Sequence, residues 1–297
     1  MTNRYQGWNY IRIALIVSIA LGLSVTAGGA DTRQEIQFPD IPGYCTLKCD
    51  LHMHTVFSDG LVWPTVRVDE AWREGLDCIS ITDHIEYTPH KEDLPKNLNR
   101  PYEIARARAE EKNILLIHGA EITRDPDNLG HFNTIFLQDV NPLDKEDLKT
   151  VFQAAAEQKV FLFWNHPGWP DGKAEWGPVQ TELYEKGWMH GIEICNGDEY
   201  YPEAHQWALE KNLTMLANSD IHQPSLDSIY TNENHRTITL VFARERSLEG
   251  IRESLDQRRS VVWYKNRLIG RADLLGALLA ECLMVSEPYK KDDKACW

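Results

Sequence analysis

The sequence predicts an α/β protein whose parallel strands form a barrel of the TIM type. Three observations lead to this prediction. Apolar runs of five to eight residues alternate with amphipathic helical stretches, about seven such units follow one another, and polar side chains of one chemical kind come directly after the apolar runs. Seven units favour a barrel over an open sheet, and in both architectures ligands bind at the carboxyl ends of the strands.

The apolar runs are rich in β-branched and aromatic residues and are continuous rather than alternating. Such runs are typical of parallel strands that are buried on both faces. The predicted strands are, in chain order, 46–52, 77–82, 114–119, 132–137, 160–164, 191–195, 213–217 and 236–242, and a further one covers 260–264.

The stretches between these runs have helical spacing of their apolar residues. Pro64, Pro101 and Pro202 stand where a first helical turn accepts proline. The predicted helices cover 64–74, 101–112, 143–158, 180–186, 202–211, 247–257 and 271–285.

The first 30 residues are predicted to be a signal peptide. Arg4 and Arg12 precede an apolar run, 13–25, and small residues follow it. An uncleaved N-terminal anchor is the alternative. We therefore expect an exported protein, periplasmic or extracellular, in which 31–43 is an extended lead-in, 44–265 the barrel domain and 266–297 a C-terminal helix and polar, irregular tail.

Composition limits the partners. The 297 residues carry a formal net charge of −14, which argues against stable binding of nucleic acid through a basic surface. An anionic small molecule remains a possible substrate because bound metal ions invert the local field. The six cysteines contain no CxxC pair and do not predict a disulfide framework.

Histidine and carboxylate residues follow five of the predicted strands. Two residues apart on one strand, His52 and His54 point to the same side, which is a metal-site geometry. The complete set of candidate ligands is His52, His54, Asp59, His84, Glu121, His131, His166, Asp220 and His222.

Nine candidate ligands exceed what one metal ion uses, since a catalytic zinc typically takes three protein ligands. The set therefore predicts two or three divalent ions with a bridging carboxylate, and nitrogen and oxygen ligands suit Zn, Mn or Fe equally. Such ions generate hydroxide at neutral pH and hold phosphate oxygens, so a phosphoester is the natural substrate. Amides and lactones remain open, because two-ion sites also hydrolyse carbonyl compounds.

Five short motifs contain most of these residues: His52-x-His54-Thr55-x-x-Ser58-Asp59-Gly60, Thr82-Asp83-His84, Gly119-x-Glu121, His166-Pro167 and Asn218-Ser219-Asp220-x-His222. In these motifs the chain resembles the PHP family, named after polymerase and histidinol phosphatase, over about residues 45–225. The resemblance implies a distorted (β/α)7 barrel, a trinuclear metal site and phosphoesterase activity.

By this resemblance, His52, His54, Asp220 and a bridging Glu121 would hold the first ion. Glu121, His131 and His166 would hold the second ion. Asp59, His84 and His222 would hold the third, so that Asp59 belongs to a different ion from His52 and His54.

Other residues near the run ends are candidates for the substrate. Glu121 and Asp220 are the predicted catalytic carboxylates. Arg124 is the first choice for a cation that binds phosphate, with a surface ion pair as the alternative, and His90 could reach a leaving group. Asp83 is predicted to orient an imidazole from outside the ligand set.

Residues with weaker signals complete the list. His118, within a strand, is interpreted as core, and His205 as a surface or packing residue. Tyr200 and Tyr201 could flank substrate. Trp164, Trp169 and Trp176 either form a wall for an organic leaving group or cover the barrel mouth.

The expected function is hydrolysis of phosphate mono- or diesters by metal-activated hydroxide. A phosphotriesterase or an amide or lactone metallohydrolase is the catalytic alternative. A metal-binding barrel without activity is the third possibility, and the completeness of the ligand set argues against it.

Overall fold

The structure, a computed structural model, describes residues 32–123, 130–227, 235–283, 289–291 and 294–296. The strands in these ranges are β1 (Cys45–Asp50), β2 (Cys78–Ile81), β3 (Leu115–Ile122), β4 (Phe132–Ile135), β5 (Phe161–Trp164), β6 (Met189–Asn196), β7 (Glu199–Tyr200), β8 (Thr214–Asn218), β9 (Ile238–Ala243), β10 (Ser260–Tyr264), β11 (Arg267–Gly270), β12 (Tyr289–Lys291) and β13 (Lys294–Cys296). The α-helices are α1 (Pro64–Arg73), α2 (Arg100–Lys112), α3 (Leu148–Glu157), α4 (Pro178–Glu185), α5 (Pro202–Glu210), α6 (Leu248–Asp256) and α7 (Ala272–Cys282).

Eleven of the strands form one curled sheet, so the fold is mixed α/β and TIM-like. Its order is β11-β10-β9-β1-β2-β3-β4-β5-β6, and both β7 and β8 pair with β6. Strands β1, β2 and β3 are parallel, as are β5, β6 and β8, and helices connect them as expected.

The predicted all-parallel sheet is wrong at β4 and at the β9–β11 edge. Strand β4 runs antiparallel to both β3 and β5, and β9 is antiparallel to β1 and β10. Only residues 123–131 separate β3 from β4, whereas a crossover to a parallel neighbour needs about a dozen residues or more. A short connection therefore reverses the chain direction.

The sheet closes on itself where the chain leaves β1 and β8. Here the Leu51 amide donates to Asn218 Oδ1 at 2.7 Å, and the Asp220 amide donates to the His52 carbonyl at 2.9 Å. The His54 amide donates to the Ile221 carbonyl at 3.1 Å. These bonds tie together two segments that carry predicted ligands.

Two predicted boundaries require correction. Helix α3 begins at Leu148, five residues later than predicted, because the Asp147 side chain accepts a hydrogen bond from the Thr150 amide and caps the helix. The tail predicted to be irregular contains the antiparallel pair β12–β13. The predicted domain boundaries stay predictions, and β11 continues the main sheet beyond residue 265.

Apolar side chains fill the barrel and the layer between sheet and helices. Phe161 and Phe163 of β5 and Phe242 of β9 are fully buried, and Leu278 of α7 packs on the same sheet. No helix in the described ranges is both long and apolar enough to cross a membrane.

Candidate metal centre

The two histidines after β1 lie side by side in the closed end of the barrel. Both side chains are fully buried, and their Nε2 atoms are 3.2 Å apart. Asp220, two residues after β8, places Oδ1 3.1 Å from His52 Nε2 and 3.0 Å from His54 Nε2. A tetrahedral ion with bonds of about 2.0 Å has ligand–ligand edges of about 3.3 Å, so this triangle has the size of one face of a zinc-like site.

Glu121 is the hub of the cluster. It stands near the end of β3, is fully buried, and its Oε2 lies 3.2 Å from both His52 Nε2 and His54 Nε2. Its second oxygen, Oε1, lies 3.1 Å from His131 Nδ1 and 3.6 Å from His166 Nε2. A carboxylate whose two oxygens face different imidazole groups is placed to bridge two ions.

His131 reaches the same edge of the sheet because β4 is reversed. In parallel strands the ligands follow the strand, but His131 precedes β4. Since β4 is antiparallel, its beginning lies beside the ends of its neighbours. The antiparallel direction of β4 therefore explains the position of this ligand.

Asp59 lies at the centre of a third group of side chains. Its carboxylate is 3.2 Å from His222 Nε2, 3.4 Å from His84 Nε2 and 3.6 Å from His54 Nδ1. His54 therefore borders this group as well as the Asp220 triangle. The assignment of Asp59 to an ion separate from His52 and His54 stays a prediction, and the geometry separates Asp59 more clearly from His52 than from His54.

Glu193, which was not predicted as a site residue, fixes the orientation of His52. This fully buried carboxylate lies 3.0 Å from His52 Nδ1 and accepts hydrogen bonds from the amide of His166 and the side chains of Asn196 and Asn218. A carboxylate at Nδ1 keeps the proton there and leaves Nε2 free for a metal ion. A charged residue flanked by Ile192 and Ile194 within a strand was the available signal.

Asp83 lies outside the ligand set and contacts an imidazole through a hydroxyl. Its carboxylate accepts hydrogen bonds from Ser58 Oγ at 2.7 Å and from the Thr55 amide and hydroxyl, both at 2.6 Å. Ser58 Oγ in turn lies 3.2 Å from His54 Nδ1. Because Ser58 donates to Asp83, its oxygen accepts from His54, which again directs Nε2 toward the cluster.

Arg67 of α1 is a second site residue that was not predicted. It is fully buried and donates to the carbonyls of His54, Ile221, His222 and Gln223 and to the Glu70 carboxylate. One guanidinium thus holds the backbone of both ligand-bearing segments. Its position on the buried face of an amphipathic helix was the only signal.

The pKa values show mutual stabilisation of imidazoles and carboxylates. Burial alone would lower the pKa of His54, but Asp220 and Glu121 outweigh it and raise this pKa to about 9. The same balance raises the pKa of His52 well above its ordinary value. Burial would raise the pKa of Glu121, but His84 and His52 hold it well below the usual range.

The donor set fits divalent metal ions. The cluster contains only imidazole nitrogens and carboxylate oxygens, and three of its buried atoms make no hydrogen bond in the described part of the chain: Asp59 Oδ1, His84 Nδ1 and Asp220 Oδ1. A buried polar atom without a partner costs free energy, which a bound cation would recover at the two carboxylates. Three overlapping groups of these residues lie close enough to share an ion.

The remaining candidates are Arg124, His90, His118, His205 and Tyr200. Arg124 falls outside the described residues. His90 is exposed and lines a narrow cavity together with His84. His118 stacks on Tyr102 with ring centroids 4.2 Å apart. The hydroxyl of the exposed Tyr200 lies 2.9 Å from His205 Nδ1.

The other aromatic residues predicted near the site are Tyr201, Trp164, Trp169 and Trp176. Tyr201 is buried and donates its hydroxyl to Glu199. Trp169 contacts His131 and His166 with ring centroids 4.8 Å and 5.7 Å apart. Trp164 and Trp176 pack against each other behind these histidines.

Comparison with known proteins places the chain among similar structures, although no family model matches the sequence. A two-domain protein from Bacteroides vulgatus, described as containing a predicted PHP-like metal-dependent phosphoesterase, is 55% identical with a TM-score of 0.85. The match covers 89% of this chain and 78% of that one.

Two more distant proteins are also similar. An uncharacterized protein from Methanocaldococcus jannaschii is 28% identical over an alignment of 196 residues. The match covers 60% of this chain and 83% of that protein. Endonuclease Q, solved with a 27-mer duplex carrying an abasic lesion, is 14% identical with a TM-score of 0.51 over 72% of this chain and 57% of that one. The likeness to endonuclease Q shows the fold alone.

Proposed function

The chain belongs to the family of PHP-like metal-dependent phosphoesterases, hydrolases of phosphoric esters, and we propose that it hydrolyses phosphate mono- or diesters at a centre of up to three divalent ions. The observation that carries this proposal is the position of Glu121, whose two oxygens face five imidazoles from four different segments: His52 and His54, His84, His131, and His166. The proposed centre lies at the carboxyl ends of the parallel strands of a distorted (β/α)7 barrel.

The proposed ions share one ligand. His52, His54, Asp220 and a bridging Glu121 would hold one ion, and Glu121, His131 and His166 a second. Asp59, His84 and His222 would hold a third. Zn, Mn and Fe all suit imidazole and carboxylate ligands.

When bound, such ions lower the pKa of a water molecule and neutralise charge on a phosphoryl group. The protein's own residues prepare the site. Glu193 and Ser58 keep the protons of His52 and His54 on Nδ1, and burial keeps bulk water from the Glu121 carboxylate. His90, beside His84 in the adjoining cavity, is proposed to donate a proton to the leaving group.

The proposed substrate is a small molecule. The protein is strongly acidic, and a net charge of −14 opposes tight binding of long nucleic acids. Endonuclease Q acts on DNA with a related fold at low sequence identity. A duplex oligonucleotide therefore belongs in the substrate panel as a competing outcome.

The experiment is a panel of phosphate monoesters, diesters, triesters, lactones and a lesion-bearing duplex, assayed on protein whose metal content is measured by inductively coupled plasma mass spectrometry. We expect two or three ions per chain and the highest kcat/KM on a mono- or diester. Asp220→Ala should lower that kcat/KM at least 100-fold, while His205→Ala, a change at a half-buried histidine outside the cluster, should leave it unchanged. Less than one ion per chain together with unaltered activity of Asp220→Ala would exclude metal-dependent catalysis.

We also propose that the chain is exported and that residues 1–30 are removed. Support comes from the basic residues, apolar run and small residues at positions 4–30. N-terminal sequencing of protein recovered from the periplasm or medium tests this. A mature protein that retains Met1 and stays with the membrane would favour the anchor instead.

A further inference from the structure

A cavity opens directly beside the His131 and His166 side of the centre. It has a volume of about 290 Å³, whereas the cavity on the His84 side has only about 30 Å³. A cavity of roughly 150 Å³ is enough to hold benzene, and one of about 30 Å³ holds little more than water. The first cavity therefore has room for a group of one or two rings.

An aromatic residue covers the boundary between this cavity and the centre. Trp169 lines the cavity and also contacts both His131 and His166. Its side chain is 51% exposed, which is unusual for so large an apolar group. A planar group entering the cavity would find an open indole surface next to the phosphoryl position.

A hydrogen-bond donor is fixed in the cavity wall. Trp164 is 3% exposed and stacks on Trp207 with centroids 5.6 Å apart, so its ring is held in place. Its indole Nε1 is buried and, in the described part of the chain, has no hydrogen-bond partner. Buried tryptophan N–H groups usually find an acceptor, so this one lacks an acceptor that a ligand could supply.

Gly130 packs against that donor. A Cβ at this position would lie 2.6 Å from Trp164 Nε1, and the residue has φ +90°, which disfavours other side chains. Only glycine therefore fits at this edge of the cavity without displacing the indole.

The charges around the cavity oppose a second anionic group. Asp171 and Glu175 line it together with one lysine, Lys173, whose ammonium is 3.7 Å from Asp171. The lysine charge is thus already compensated, and one carboxylate remains in excess. A neutral ring is favoured over a ring that carries a carboxylate.

We propose that this cavity recognises the organic part of the substrate, and that this part is a neutral aromatic ring with a hydrogen-bond acceptor. The ring would stack on Trp169 and accept from Trp164 Nε1. This inference rests on the proposed function, because it places the ring on a phosphoester whose phosphorus lies at the metal centre.

The test measures binding of phosphonates, which are not hydrolysed, to metal-loaded protein by calorimetry. Benzylphosphonate should bind about tenfold more tightly than butylphosphonate, since aromatic contacts contribute roughly 0.5–1.5 kcal/mol beyond burial. A pyridylmethylphosphonate isomer should bind about fivefold more tightly again, through a hydrogen bond to the indole N–H.

Two variants separate the two contacts. Trp169→Ala should reduce the advantage of benzyl over butyl to less than twofold. Trp164→Phe keeps a ring and removes only the N–H, so it should abolish the advantage of pyridyl over benzyl. Trp188→Phe, which removes an indole N–H outside this cavity, and Tyr184→Ala, which removes a partly exposed ring elsewhere, are the matched controls and should change neither ratio.

Inorganic phosphate separates failure of this inference from failure of the proposed function. If phosphate binds and the wild-type protein shows no aryl preference, the cavity assignment is wrong and the phosphoesterase proposal stands. Equal effects of Trp164→Phe and Trp188→Phe would likewise overturn the role of the indole N–H. If neither phosphate nor any phosphonate binds, the phosphoester function and the inference fall together.

Discussion

At the scale of single residues, orientation matters as much as ligand identity. His52 has the correct position by virtue of β1, but its ring has two nitrogens, and the Glu193 carboxylate at 3.0 Å from Nδ1 decides which one faces Asp220. The position of His52 could be predicted from its spacing to His54 along the strand. The orientation of its ring could not be predicted, because it depends on a residue about 140 positions away.

Glu193→Gln tests this orientation. The amide keeps the size of the side chain but offers one acceptor oxygen, so it cannot accept from His52, His166, Asn196 and Asn218 together. We expect metal affinity, measured by competition with a chelator, to fall about 10–100-fold. Glu210→Gln on exposed α5 is the control, and an affinity equal to that of the control would show that Glu193 does not orient His52.

The pKa shifts predict proton release on metal binding. In the metal-free protein the pKa of His54, about 9, keeps this imidazole protonated at pH 7, and the neighbouring carboxylates also raise the pKa values of His52 and His166; a metal ion needs the lone pairs of all three. Affinity should therefore rise with pH up to about pH 9, the pKa of His54.

Calorimetry in two buffers of different ionisation enthalpy measures the number of protons released. We expect more than one proton per chain at pH 7 and fewer at pH 9.5. Metal uptake at pH 7 without proton release would show that the imidazoles are already neutral in the metal-free protein.

At the scale of elements, the turn after β1 depends on one close approach of the backbone. A Cβ on Gly60 would lie 2.5 Å from the carbonyl carbon and oxygen of His54 and 2.6 Å from the Thr55 nitrogen. No side chain fits there without moving the segment that carries His54 and Asp59. The turn motif is therefore a packing requirement as well as a source of ligands.

Gly60→Ala should lower stability by about 1–3 kcal/mol, as overpacking typically does, and should remove at least one bound ion. Gly276→Ala in α7 is the matched control, since its Cβ would meet no atom within 4 Å and alanine favours a helix by roughly 0.5–1 kcal/mol. Urea unfolding and metal analysis of both variants measure the effects. Full metal content in Gly60→Ala would contradict a role of this turn in placing Asp59.

Most elements were predictable because their signals are local. The continuous apolar run of β5 and the proline at the start of α5 identify these elements without knowledge of the fold. Strand direction depends on the length of the connection, and the predicted strands 114–119 and 132–137 left 120–131 between them, long enough for a crossover, so β4 was predicted in the wrong orientation. Arg67 was missed for a related reason, because its role is defined by backbone carbonyls more than 150 residues away.

At the scale of the whole molecule, bound ions should stabilise the fold. The carboxylates and imidazoles of the cluster come from β3 and from the segments that follow β1, β2, β5 and β8 or precede β4, so an ion would cross-link distant parts of the chain. A ligand at about 100 times its Kd stabilises by about 2.7 kcal/mol, which corresponds to roughly 5–10 °C for a chain of this size.

Removal of metal with EDTA should therefore lower Tm by about 5–10 °C, and added Zn²⁺ or Mn²⁺ should restore it in a concentration-dependent way. Differential scanning calorimetry of the treated, dialysed protein provides the measurement. Asp220→Ala should respond less than wild type to added metal. A Tm that is the same with and without metal would argue against ions that link the strands.

The pairing of β1 with β9 has a consequence for the synthesis of the protein. Cys49 of β1 lies opposite Thr239 of β9. Strand β1, near the start of the fold, therefore cannot pair with β9 until almost 200 further residues have been synthesised. Contacts so distant in sequence form slowly and only after most of the chain has left the ribosome. The His52–His54 pair and Asp220 come together at that late stage, and the ions that the mature protein contains should reflect the metals available in the compartment where folding ends.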